Sequence, residues 1–269
     1  MSLPRALRWL AAAPLTAIVL ATSVAAPASA SPQGVAAPAA SRCPAGTTTD
    51  ARWVQFAYQE LLDRCADPAG LAHWTAKLAG GASRASVADA IDMSTENLGK
   101  NNVDPLYRFT VGRAPTPAER AAGIADLRRR HANDHLTATL MASDEGYARE
   151  GVGASPLERD TAWVTWAYNR ILDREPDPLG LRNYLGYFSS GGSTAAQRYK
   201  VAMGLERSRP NVLSWVRASM AEALGRQPDP VGVSFWSHWL VGPQGRWQTF
   251  RMWTMLLASN EAYRRAQAL

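Results

Sequence analysis

"RWVQFAYQELLDRCADPAGLAHW", residues 52–74, aligns without a gap to "AWVTWAYNRILDREPDPLGLRNY", residues 162–184, at an offset of 110. The match extends further, with Ser83 opposite Ser193 and Glu96 opposite Glu206. Its centre, Arg followed by Asp-Pro, returns as "LGRQPDPVG" (224–232) and, altered, as "VGRAPTPAE" (111–119). A pattern that recurs at a fixed period organises everything else in the chain. It predicts an all-α protein of four three-helix repeat units, each of about 50 residues, arranged as two tandem pairs. Residues 51–149 form pair one, 150–160 a linker and 161–269 pair two.

Each unit opens with an amphipathic helix. In the first, Trp53, Ala57, Tyr58, Leu61 and Leu62 fall on one face at helical spacing. The second helix starts inside the motif. Asp67, Thr116, Asp177 and Asp229 each precede a proline, and Asp or Thr before Pro is an N-cap followed by the first helical residue. Thr can replace Asp as a cap, but not as a carboxylate base or metal ligand, so this position is structural. Arg64 and Glu96 are 32 residues apart, as are Arg113 and Glu145, and Arg174 and Glu206. Arg226 and Glu261 are 35 apart, with the extra residues in the loop "VGPQGRWQ". All four are expected to be ion pairs joining the end of helix one to the end of helix three, and if a pair is buried, removing one partner should be costly because it strands a charge.

These residues resemble a bacterial family, the domain of unknown function 4214. That domain is itself similar to the helical domain of phycobilisome linker polypeptides. The carriers are the Tyr, the "LLDR.PDP.GL..W" core, "GG.S" and a third helix ending in "S.E". The resemblance spans residues 51–265. The second unit departs from it at Thr116, Glu119 and Gly123, and the third has Gly204 where the others have Ser. It implies an all-helical fold, export, association with surface proteins, and no catalytic residues to carry over.

Residues 1–30 read as a signal peptide: Arg5 and Arg8, an apolar run, then Ala28-Ser29-Ala30. Residues 31–50 are Ala-, Pro-, Ser- and Thr-rich and are expected to form a disordered arm. Export predicts a disulfide between the two cysteines, Cys43 and Cys65. No later run is long and apolar enough to cross a membrane, so the mature chain is expected to lack a span. Net charge is +6, but the basic residues are scattered apart from Arg128-Arg129-Arg130, which excludes a nucleic-acid stripe.

No phosphate loop or nucleophile elbow is present, and the sequence implies no cofactor. His131, Asp134 and His135 are spaced suggestively for a metal but fall at a predicted loop, so no metal is assigned. Glu119, Asp144, Glu145 and Glu150 could supply a glycosidase pair, although the repeat already gives Glu119 and Glu145 structural roles. Tyr187, Trp239 and Trp247 lie outside the periodic core and are the candidate ligand-binding rings. The expected function is an exported, non-catalytic module for cell-envelope or extracellular binding or adhesion, carbohydrate binding included. Its partner would be a cell-envelope polysaccharide or a surface protein. The alternatives are an extracellular protein-interaction scaffold and, third, a secreted glycan-active enzyme.

Overall fold

The computed structural model describes residues 43–269 except 45 and 190. The expected signal peptide and most of the expected arm lie outside the described residues. Fourteen α-helices and one π-helix are present among them. They are α1 (Thr49–Leu62), α2 (Pro68–Ala79), α3 (Arg84–Asp92), a π-helix (Asn97–Val103), α4 (Asp104–Thr110), α5 (Pro117–Arg130), α6 (Asp134–Ala142) and α7 (Asp144–Glu150). The chain continues through α8 (Pro156–Leu172), α9 (Pro178–Leu185), α10 (Ala195–Glu206), α11 (Arg209–Leu224), α12 (Pro230–Val241), α13 (Thr249–Ala258) and α14 (Asn260–Ala268).

The end of the expected arm is ordered. Thr48 caps α1, and Cys43 is buried in a disulfide with Cys65, their Cα atoms 5.4 Å apart. The expected 150–160 linker is shorter than the sequence suggests, because Ser155 caps α8 with a capping box to Glu158. The third helix of that segment is capped by Thr194 rather than Ser193, whose hydroxyl bonds Asp160 instead.

All-α is correct, but four discrete three-helix units in tandem pairs are not what forms. The helices make one integrated domain. α3 packs most extensively on α13, and α6 on α10. The first segment therefore lies against the last, and the second against the third. The physical reason is in the third helices. α6 buries Leu136, Thr137, Ala138, Leu140, Met141 and Ala142, and α13 buries nearly as much of its surface. A helix apolar most of the way round cannot be covered by two neighbours of its own unit.

The same bonds recur at both junctions. The Trp53 indole donates to the Leu257 carbonyl (3.0 Å), and the Trp163 indole to the Met141 carbonyl (2.9 Å). Tyr263 bonds Asp50 (3.0 Å) and Tyr147 bonds Asp160 (2.8 Å). Arg84 and Arg198 each donate to the carbonyl that ends α13 or α6, at 3.0 Å, and lie over Tyr263 and Tyr147. One buried cluster accordingly joins Trp53, Phe56 and Ile91 to Val216, Trp253 and Leu257. Another joins Met141 to Trp163, Val201 and Leu205. Phe250 of α13 is buried with Leu106, Leu127 and Leu136 of the second segment, which ties the two assemblies together.

Candidate functional site

The four motif turns share one geometry. The residue before the Arg is left-handed in each: Asp63 (φ 53°), Gly112 (83°), Asp173 (53°) and Gly225 (68°). That conformation ends helix one. The Arg then donates to the carbonyl of the next residue, Cys65, Ala114, Glu175 or Gln227, at 3.0–3.1 Å. In three turns its guanidinium lies 5.1–5.7 Å from the centroid of a tyrosine ring, Tyr58, Tyr107 or Tyr168. Asp67, Thr116, Asp177 and Asp229 cap the following helix as expected from the sequence, each accepting a backbone N–H three residues on. Those N–H groups, from Gly70, Gly180 and Gly232, hold the three aspartates below the usual carboxylate range. A Cβ on Gly70 or Gly180 would stand 2.7 or 2.5 Å from the hydroxyl of Tyr58 or Tyr168, which explains glycine there.

Three of the four expected ion pairs are present. Arg64 Nε meets Glu96 at 2.7 Å, Arg113 meets Glu145 at 2.6 Å, and Arg226 meets Glu261. None is deeply buried; Arg64 and Glu96 are 35% and 39% exposed. Arg174 does not reach Glu206 but faces its own cap, Asp177, at 3.6 Å. Ser94, Ser143 and Ser259 each cap a new helical turn that carries the glutamate back toward the Arg. With Gly204 in that place there is no cap, α10 runs on to Glu206, and the carboxyl turns inward. Burial, with the nearby Asp134 charge, pushes it up to about 8, opposed by a hydrogen bond from Asn211.

Most of the candidate chemical groups are already engaged. Glu119 binds Arg113 and the Thr116 backbone, which together hold it down at about 2. Asp144 pairs with Arg198, and Glu150 with Arg149. Asp134 pairs with Arg207 at 2.8 Å, His135 contacts Asp126 at 3.0 Å, and His131 is the left-handed cap of α5. Among the described residues no three His, Cys, Asp or Glu converge as metal ligands.

The expected ligand-facing rings differ in exposure. Tyr187 is 58% exposed, next to Tyr184 of the second-to-third assembly. Trp239 and Trp247 are half-buried against the first-to-last core. Trp239 packs edge-on to Trp236, and Arg207 covers the Trp247 ring. They are half-buried because the loop after α12 folds back, the Trp247 N–H bonding the Leu240 carbonyl.

An open concave feature lies between α11 and α12. It is a cavity of about 550 Å³ with Val212, Leu213, Val233 and Val241 among its apolar walls and Arg207, Arg209 and Arg217 around it. No carboxylate lines it.

A family model described as "Domain of unknown function (DUF4214)" matches residues 38–101 and 137–215. The chain belongs to the DUF4214 family. No curated protein and no solved structure matches it. The DUF4214 match covers the first and third motif turns, whose residues are helix stops, caps and loop anchors. The α11–α12 cavity lies mostly beyond the matched residues, and the fourth motif copy contributes only Pro228 and Pro230 to its lining.

Proposed function

We propose that this protein is an exported, non-catalytic module that docks a protein partner of the cell envelope or extracellular space through α12. The carrying observation is a comparison of aligned positions within the chain. Two residues after the cap, Ala69, Ala118, Leu179 and Val231 are all exposed; six after it, so are His73, Ala122, Asn183 and Phe235. These are surface positions in every segment. Only the fourth places a large apolar residue at both, leaving Val231 79% and Phe235 60% exposed one helical turn apart. Apolar side chains gathered on a surface otherwise left small or polar mark an interaction face.

The amino-terminal 30 residues and the disulfide support export, since disulfides persist in oxidising compartments. The half-burial of Trp239 and Trp247 favours a protein partner over a polysaccharide. The test is retention of the purified mature protein on isolated envelope material. Phe235→Glu and Val231→Glu should each lower retention about tenfold or more without altering the fold. Protease treatment of the envelope should abolish it and removal of glycans should not. Normal retention of both variants, or dependence on glycan alone, contradicts the reading.

A further inference from the structure

We propose that the α11–α12 cavity binds an amphipathic carboxylate, its hydrocarbon chain in the cavity and its charge against the α11 rim. The volume, about 550 Å³, is that of a small-molecule site. Val212, Leu213, Val233 and Val241 supply apolar wall, and no Phe, Tyr or Trp lines it. A sugar would find no stacking platform there. An extended peptide would find no strand edge to pair with, because both walls are helices. A flexible hydrocarbon needs neither.

The charge is set by the rim. Arg209 and Arg217 are exposed and lie two turns apart on α11, about 12 Å along its axis. Among the described residues neither meets a carboxylate, unlike Arg207, which Asp134 neutralises. With no acidic residue in the lining, this mouth is positive beside an apolar interior. On the α12 wall the Ser237 hydroxyl is enclosed without a hydrogen-bond partner among the described residues. It can donate to a carboxylate oxygen. The histidine at the mouth is committed on one side, its Nδ1 donating to the Ser234 carbonyl at 2.7 Å.

This inference is independent of the docking reading, since Val231 and Phe235 do not line the cavity. The probes are octanoate, decanoate and dodecanoate, titrated calorimetrically into the purified mature protein below their micellar concentrations. Acetate supplies the head alone, and octyl glucoside an uncharged chain. Binding should be saturable, one to one, and tighten by up to about fourfold per added methylene. Arg209→Gln with Arg217→Gln should weaken decanoate tenfold or more, and Ser237→Ala several-fold. Val241→Asp, at an exposed position on the wall where folding is not at risk, should also weaken it tenfold or more. Equal binding of octyl glucoside and octanoate, unchanged affinity in these variants, or no saturable binding of any carboxylate overturns the proposal. So does one-to-one binding of an acidic peptide in place of the carboxylates. Phe235→Glu should leave decanoate affinity unchanged, which separates this test from that of the docking face.

Discussion

Trp53→Ala removes the side chain that most directly links the two ends of the chain. Trp53 is fully buried, and its indole donates to a carbonyl 204 residues away, that of Leu257, at 3.0 Å. Truncating a buried Trp costs about 3–5 kcal/mol. Loss of the donor to Leu257 adds about 1 kcal/mol. Taking about 5 kcal/mol, and about 2–4 °C per kcal/mol for a domain of this size, Tm should fall by roughly 10–20 °C. Trp53→Phe keeps most of the ring and should cost about 1–2 kcal/mol. The location of the damage is more informative than its size. Hydrogen exchange followed by mass spectrometry should show lost protection in α13 and α14 as well as in α1 and α3. Lost protection in α5 and α6, with α13 unchanged, would refute the assignment of the first segment to the last.

Three further outcomes follow from the site geometry. Glu206 has a folded-state value raised to about 8, so the folded state holds a proton that the unfolded state releases near 4.5. Its contribution is fully present below about pH 4.5 and is lost as pH rises toward 8, so Tm should decline across that window by the equivalent of a few kcal/mol. Glu206→Gln should flatten this decline in a pH series of melts. Arg64→Ala should cost no more than about 1 kcal/mol, because its pair with Glu96 is half-exposed, and Arg174→Ala should show no loss attributable to Glu206. Reducing Cys43–Cys65, which closes 22 residues, should lower stability by roughly 3 kcal/mol, read by denaturation with and without reductant.

Local structure was legible where one residue type has one physical job. A cap followed by proline, a buried Tyr beneath a glycine, and Cys43 with Cys65 all announce themselves. Which segment packs on which was not legible, because aligned segments carry the same apolar stripe and each could cover any other. The information that decides it sits in bonds such as Trp53–Leu257 and Trp163–Met141, in which the repeated Trp meets a backbone carbonyl that no side-chain pattern marks. Gly204 was visible as an exception, and its consequence followed from capping: without a serine, the helix does not stop. The exposure of the aromatic rings was not legible for a similar reason. Position alone does not reveal that the loop after α12 folds back over Trp239 and Trp247, and the exposure of Val231 and Phe235 emerges only when the aligned positions are compared in the structure.

The most direct test is to cut the connector between α7 and α8, at residues 151–155, with an engineered protease site. Because the first segment packs on the fourth and the second on the third, the two halves should remain together after cleavage. They should elute as one species, separate only on denaturation, and fail to fold when produced singly. Two separately folded fragments that part on gel filtration would contradict the closed arrangement.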